Sequence, residues 1–468
     1  MADQQTMDAG RWMFRHAVVI GGSMAGLVSA RILLDYCERV TIVDRDTFSA
    51  TPAPRRWLPQ DRHLHVFLMR GLSVIDRLFP ALIGELAEAG ALILDPADDF
   101  LWINPAGTGV RFRSEHRLLA CSRDLLDCLL RRRVFAFPRL RVLEGEMATA
   151  LLTEDQGTEI RGVRVRHLGS DKENEPEADV IAELVVDASG RSSKLPQWLE
   201  ALGYPRPPET VVDPHLGYAS RVYRAPRDLA AGWVGIFAPA APPKHPRGCV
   251  IFPIEGGRWM VTAGGGDTEY PPTDEAGFLA FLKGLPTPLI YQAVVMAEPL
   301  SPVFAFRGTE NRLRHYEALS KRWPRGLLTL GDAVCAFNPV YGQGMTMAVL
   351  GAELLGACLE ENKTRRRPGN ALGSFQAKLA KINTGPWQLA TSEDLRYRTT
   401  AGAVSSGHWR KRLFDAYIDR LVTRATQSIE VRRTILEVRH MLRPSRALFH
   451  PRMIVETLHA APAPKPPA

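Results

Sequence analysis

Residues 17–46 read AVVIGGSMAGLVSARILLDYCERVTIVDRD. Ala17–Ile20 is a short apolar run, and the glycine turn Gly21, Gly22, Ser23, Gly26 follows it. Leu27, Val28, Ala30, Ile32, Leu33 and Leu34 then recur at helical spacing, and Val40–Val43 is a second apolar run that ends at Asp44. The pattern predicts one βαβ unit with two parallel strands. Such a turn wants small residues where the backbone nears a pyrophosphate, and it aims the free N–H groups of a helix start at the phosphates. An acid after the second strand suits a ribose, and Asp44 stands there. Ser23 occupies the second glycine position of the usual G-x-G-x-x-G; serine is small enough to keep close approach open. The strand, helix and acid around the turn make the nucleotide reading specific, where the glycines alone would not.

Downstream, the segment 51–62 is rich in Pro and Arg, 64–90 reads as helical, and a helix is expected at Arg123–Arg133. Val163–Arg166 and Ile181–Val186 read as strands around the charged turn 171–179. Residues 205–300 alternate apolar and polar positions among many Gly and Pro, as antiparallel strands do. Leu327–Leu330 is another short buried strand, followed by a helix at about Gly344–Leu359. From 373 onward the chain reads as mostly helical and ends in APAPKPPA, a disordered tail by composition.

Two distant motifs extend the reading. VVDASGRSSKLPQWLEALG (185–203) carries Asp187 and Gly190. GLLTLGDAVCAFNPVYGQGMTMAVLGAELL (326–355) carries Gly331, Asp332, Pro339, Gly342, Gly344 and Met345. In the second, a buried strand delivers an Asp and a loop feeds a glycine-rich helix start. A carboxylate can accept from ribityl hydroxyls, and a helix N-terminus favours the negative edge of a flavin.

With the glycine turn, these motifs resemble the para-hydroxybenzoate hydroxylase-type FAD-dependent monooxygenases. PRRWLPQDRHLHVFLMRGL (54–72), FPIEGGRWMVTAGGG (252–266), FNPVYGQGMT (337–346) and PWQLATSEDLRY (386–397) look like the branch of the polyether (lasalocid and monensin) polyene epoxidases. The resemblance covers about residues 16–458. It implies an α/β fold: a Rossmann-like FAD-binding domain (1–75, 114–204 and 301–372) interleaved with an α+β substrate domain with an antiparallel sheet (76–113 and 205–300). A C-terminal helical region (373–458) and a disordered tail (459–468) complete it. It implies FAD held by Gly21, Gly22, Ser23, Gly26, Asp44, Arg45, Arg123, Met147, Asp187, Asp332, Pro339, Gly342, Gly344 and Met345. Arg123 would reach the phosphate and ribityl region, Met147 the adenine, and Gly342–Met345 the flavin edge. The implied reaction is insertion of one oxygen atom from O2 into a lipophilic substrate by way of a C4a-hydroperoxyflavin, with alkene epoxidation preferred. Gln60, Tyr341 and Phe252 are the expected substrate contacts; His63 and His65 read as structural. No catalytic side chain and no metal ligand set is expected.

Alternatives stay open: an aromatic or quinolone ring hydroxylase, or a geranylgeranyl reductase-like flavoprotein. A flavin halogenase would carry a W-x-W-x-I-P motif, of which Trp57-Leu58-Pro59 is only an echo. A second glycine-rich βαβ unit is not apparent, so NAD(P)H would bind transiently or a separate flavin reductase would supply electrons.

Composition agrees with a globular chain: 45% hydrophobic and 24% charged residues among 468. No apolar run reaches the length of a membrane span, and the polar N-terminus and scattered cysteines point to the cytoplasm. Of the net charge of +8, seven resides in 401–468, which holds 12 Lys/Arg against 5 Asp/Glu. With the rest of the chain near neutral, nucleic acid is not an expected partner. Leu413, Phe414, Tyr417, Ile418, Leu421, Val422, Ala425, Ile429, Leu436 and Leu442 make the basic tail amphipathic. Packing of this stripe on the FAD-binding domain is the favoured expectation, and peripheral membrane contact the alternative.

Overall fold

Val18, Val19 and Ile20 form an unbroken apolar run, which suits a strand covered on both faces, and all three are buried. The computed structural model describes residues 12–168, 177–226, 232–365, 372–402 and 408–458. In chain order the strands that frame the site are β1 (Phe14–Ile20), β2 (Cys37–Asp44), β3 (Phe100–Asn104), β4 (Leu140–Glu144), β5 (Leu184–Asp187), β6 (Gly217–Arg224), β7 (Gly235–Ala238), β8 (Arg247–Ile254), β9 (Arg258–Gly265) and β10 (Leu327–Thr329). The helices are α1 (Met24–Leu33), α2 (Met69–Leu78), α3 (Arg123–Phe135), α4 (Gly344–Arg365), α5 (Phe375–Asp394), α6 (His408–Arg424), α7 (Ile429–Arg439) and α8 (Pro451–Leu458).

β10, β5, β1, β2 and β4 lie side by side in that order, every neighbour parallel. Their side chains share one core with α1 and α4 through Leu27, Val28, Val185, Leu328, Val349 and Leu355. Burial of such side chains at about 25 cal/mol per Å² is the main force holding the layers together.

β6, β9, β8, β7 and β3 form a second sheet in that order. It is antiparallel except for the parallel β7–β3 pair. Period-two alternation gives it two distinct faces. Tyr223, Ile236, Ile251 and Val261 pack on the helices Glu275–Lys283 and Leu289–Val295. On the opposite face Phe100, Phe252 and Met260 pack with Leu64 and Val66. The mixed α/β fold, a parallel layer joined to an antiparallel sheet, is the expected one.

Three local expectations change. The helix expected over 64–90 is interrupted: α2 ends at Leu78, Pro80 follows, and Ala81 adopts φ 72 before a new helix at Leu82–Glu88. Proline in a helix interior loses a hydrogen bond and clashes with the preceding turn. The helix expected to end near Leu359 runs on to Arg365. The apolar stripe of α6 and α7 packs over the second sheet, where Leu421, Ala425, Val431, Ile435 and Val438 cluster with Trp102 and Phe237. This corrects the expected packing on the FAD-binding domain. Trp102 and Phe237 point away from the sheet's helix-covered face, and the C-terminal helices cover them. Leu413 and Phe414 of α6 stay exposed. Among the described residues no helix is long and apolar enough to cross a membrane. Residues 171–176 of the charged turn and the tail 459–468 lie outside the described residues.

Candidate functional site: a cleft between two helix starts

β1 delivers the chain into Gly21 at φ +102, where a Cβ would stand 2.5 Å from the carbonyl oxygen of Ala188; a Cβ on Gly26 would stand 1.7 Å from that of Gly21. The chain's own packing therefore demands these two glycines. α1 begins at Ser23 with no side-chain cap and no acid in its first turn. The positive end of its dipole is left for an anion.

Asp44, expected at a ribose, is turned inward. Its carboxylate accepts from the N–H of Gly22, from that of Asp46 at 2.8 Å, and from Arg55 at 3.0 Å. Its first task is to hold the turn, and among the described residues Oδ2 accepts only the Gly22 bond. Arg45 lies 5.1 Å over the Trp57 ring. Met147 is half-buried near the start of the strand Glu146–Glu154, beside Gly145, whose N–H reaches the carbonyl of Asp46 at 3.0 Å.

Arg55 ties this region together, donating to Asp44, to Asp46 and to the carbonyl of Gly22, each at 3.0 Å. Arg123 opens α3, whose cap Ser122 accepts from the N–H of Leu125 at 3.2 Å. It is only 5% exposed. Arg123 donates to Ser23 Oγ at 3.0 Å and touches the sulfur of Met345, so one guanidinium spans the starts of α1 and α4. Its Nε faces Asp61 Oδ1 at 3.8 Å, and neither atom has a hydrogen-bond partner among the described residues. Burial pushes the Asp61 carboxyl up to about 7 against the pull of Arg123.

The second helix start follows β10. Asp332 makes no side-chain hydrogen bond among the described residues, and its Oδ1 lies 3.7 Å from where a Cβ on Gly344 would be. Burial raises its carboxyl, and Arg191, Arg123 and Arg314 draw it back. The loop 337–343 is fixed from behind by Asp394 at the end of α5. That fully buried carboxylate accepts from Asn311 Nδ2 at 2.5 Å, from Asn338 Nδ2 at 3.1 Å and from the Tyr341 hydroxyl at 2.5 Å. Burial pushes it up to about 6. Tyr341 thus spends its hydroxyl on Asp394, a correction to its expected place facing a substrate. Pro339 is exposed, Gly342 takes φ +66, and Gln343 Oε1 and Thr346 Oγ1 are buried without hydrogen-bond partners among the described residues. Asp187 is wholly buried and accepts from Ser189 Oγ at 2.5 Å and Ser193 Oγ at 2.6 Å, closing the turn behind the glycines.

Gln60 is half-buried on the short turn Pro59–Arg62 and makes no side-chain bond among the described residues. His63 bonds Ser220 Oγ at 2.9 Å and His65 the carbonyl of His63 at 3.0 Å. Burial pushes both rings down, to about 4 and about 3, so both are neutral and structural. Phe252 is buried against Phe100, with ring centroids 5.7 Å apart, inside the sheet's own cluster. It therefore reads as core rather than as the expected substrate contact.

Contact thus joins Gly21, Gly22, Ser23, Gly26, Asp44, Arg123 and Met345, with Asp332 and Gly344 adjacent. Arg55, Asp61 and Asp394 were not among the expected residues. Arg55 and Asp61 lie in the quoted stretch 54–72 and Asp394 in 386–397, but only the fold reveals their partners.

No protein-family model matches the chain. It is similar to Protein Rv3254 of Mycobacterium tuberculosis (strain ATCC 25618 / H37Rv), 36% identical over 413 residues, 86% of this chain and 85% of that protein. Among solved structures, the flavin-dependent brominase Bmp2 aligns with TM-score 0.65 at 14% identity, over 91% of this chain and 93% of that one. The p-nitrophenol 4-monooxygenase PnpA of Pseudomonas putida DLL-E4 aligns with TM-score 0.60 at 15% identity, over 92% and 99%. PqsL of Pseudomonas aeruginosa, described as a probable FAD-dependent monooxygenase, aligns with TM-score 0.57 at 17% identity, over 82% and 98%. At these identities the likeness to solved structures is one of fold.

Proposed function

The chain belongs to the same family as Protein Rv3254 of Mycobacterium tuberculosis, and on that premise we propose that it is an FAD-dependent monooxygenase of lipophilic substrates, with alkene epoxidation the preferred reaction. The observation that carries this reading is Arg123, one buried guanidinium shared between the two helix starts. A dinucleotide laid across both starts would meet α1 with its phosphates and α4 with its ring.

The residues fit FAD. The start of α1 has no acid of its own to satisfy it, Arg123 Nε and Gln343 Oε1 are buried and without hydrogen-bond partners among the described residues, and Asp332 is a half-buried acceptor with no protein donor bonded to it among them. In this reading the N–H groups of α1 take the pyrophosphate, Arg123 neutralises it, Asp332 accepts from ribityl hydroxyls, and Gly342–Met345 meet the ring edge. Asp394 fixes the loop 337–343 through three side chains, which sets the position of the ring's neighbours. Reduced FAD supplies the activation of O2. Phe100, Phe252 and Met260 give the facing sheet a dry, apolar backing that excludes water. His63 and His65 favour epoxidation over phenol hydroxylation: both rings are engaged in structural bonds, whereas an alkene needs no side-chain base. Electrons come from NAD(P)H bound transiently or from a separate flavin reductase.

The test is rapid mixing. FAD-loaded protein is reduced without O2, mixed with oxygenated buffer, and followed by absorbance, with and without a lipophilic alkene. The expected result is a transient band to the blue of oxidised flavin and oxygenated product. Direct return of the oxidised spectrum under every condition would sink the monooxygenase reading in favour of a reductase.

A further inference from the structure

Trp102 of β3 and Phe237 of β7 are register partners, so their rings stand side by side on one face of the second sheet. α7 crosses them. Arg432 lies 4.3 Å over the Trp102 ring and Arg439 lies 4.9 Å over the Phe237 ring. Seven residues apart, the two arginines project from one side of the helix. Arg432 is 6% exposed. Among the described residues neither guanidinium donates a hydrogen bond or forms an ion pair. The acid that Arg439 feels most, Glu393, is already paired with Arg396 at 3.4 Å. The indole Nε1–H of Trp102 and the Nδ2 of Asn104, two residues on along the same face of β3, are buried with no acceptor among the described residues. Every unsatisfied group named here is a donor. Burial, with the neighbouring charge of Arg439, pushes Arg432 down to about 9, which still leaves it charged at neutral pH.

A buried charge without a partner is costly, and a carboxylate can take two parallel N–H bonds from a guanidinium fork. We infer that Arg432, Arg439 and the indole N–H of Trp102 form a receptor for a carboxylate head group on an otherwise apolar ligand. An apolar body suits the side chains that surround these donors, Leu421, Val431, Ile435 and Val438. That this ligand is the substrate rests on the proposed function; the receptor itself does not. Stacking on the two rings holds both guanidiniums in place before the acid arrives, so little freedom is lost on binding.

Calorimetric titration with decanoate and with 1-decanol tests this, because the two share a body and differ in charge. The wild-type protein, loaded with FAD, is expected to bind decanoate about tenfold or more tighter than decanol, as a charged hydrogen-bonded contact would give. Arg432→Gln and Arg439→Gln should each erase most of that preference, and Arg432→Lys should retain part of it. Trp102→Phe keeps the ring and should lower the preference several-fold. Thermal melts of each variant report folding; should a Gln variant fail to fold, the Lys and Phe variants carry the comparison. Equal affinity for the acid and the alcohol, or a folded Gln variant that keeps the preference, would overturn the receptor. Flavin absorbance of the same samples separates the two readings. FAD retained without acid preference refutes the receptor alone, and acid preference in protein that cannot hold FAD refutes the flavoenzyme reading alone.

Discussion

Around the glycine turn three guanidiniums, Arg55, Arg123 and Arg131, meet four carboxylates, Asp44, Asp46, Asp61 and Asp127. On the second sheet two guanidiniums, Arg432 and Arg439, meet none among the described residues. Both groups contain strongly buried arginines, so burial does not distinguish them. The balance of charge does. The first cluster pairs its charges internally, and its main product is a rigid turn. The second has its cations held by aromatic rings and its donors unspent, which is the condition of a site that completes itself with a ligand.

The sharpest way to break the comparison is Arg55→Met. It would strand Asp44 and Asp46 in the interior, and unfolding measurements are expected to show a loss of about 3–5 kcal/mol, as for other buried pairs cut on one side. An unchanged melting temperature would mean that the first cluster is no better balanced than the second. Asp394→Ala comes next. It removes the common acceptor of Asn311, Asn338 and Tyr341, at about 1–3 kcal/mol for each donor left buried and unpaired, and FAD affinity should fall with stability. Full FAD affinity in this variant would show that the loop holds its shape without the carboxylate. Arg123→Gln should weaken FAD retention about tenfold, the value of one charged contact, measured by equilibrium dialysis.

Asp61→Asn probes the one acid of the first cluster that is poorly paired. Its folded carboxyl is raised from 3.8 to about 7, so the native state holds its proton longer than the unfolded chain does. The wild type therefore loses stability as pH rises from about 4 to about 7, and the loss is complete above that. The melting temperature of Asp61→Asn relative to wild type should climb between pH 5 and pH 8. A difference that shrinks over that range would place Asp61 among the well-paired acids. The smallest effect is expected for Arg432→Met, which removes a charge without orphaning another and should change stability by about zero or raise it. A large loss there would reveal a counter-ion for Arg432 and close the contrast.

Much of the fold was readable in residues 17–46, because a strand, a turn and a helix are written locally in the spacing of apolar side chains and glycines. Arg123 was singled out by the family resemblance, at the start of an expected helix. Asp44 was legible as the acid that ends β2, but its engagement with Arg55 was not, because Arg55 returns to it through a loop without periodicity. Tyr341 illustrates the same limit. Its place in the loop was plain, yet the direction of its hydroxyl was set by Asp394, 53 positions later in sequence.

The sequence by itself determined the βαβ unit, the two glycine-bearing helix starts, the alternation of the second sheet and the amphipathic C-terminal stripe, all of which follow from periods of two and about 3.6 residues. Only the tertiary structure decided which surface that stripe covers, which carboxylates close on Arg55 and Arg123, and that Arg432 and Arg439 meet none among the described residues. Periodicity tells a side chain which face to take; the partner it finds there depends on strand order and register between distant segments, such as Phe237 beside Trp102.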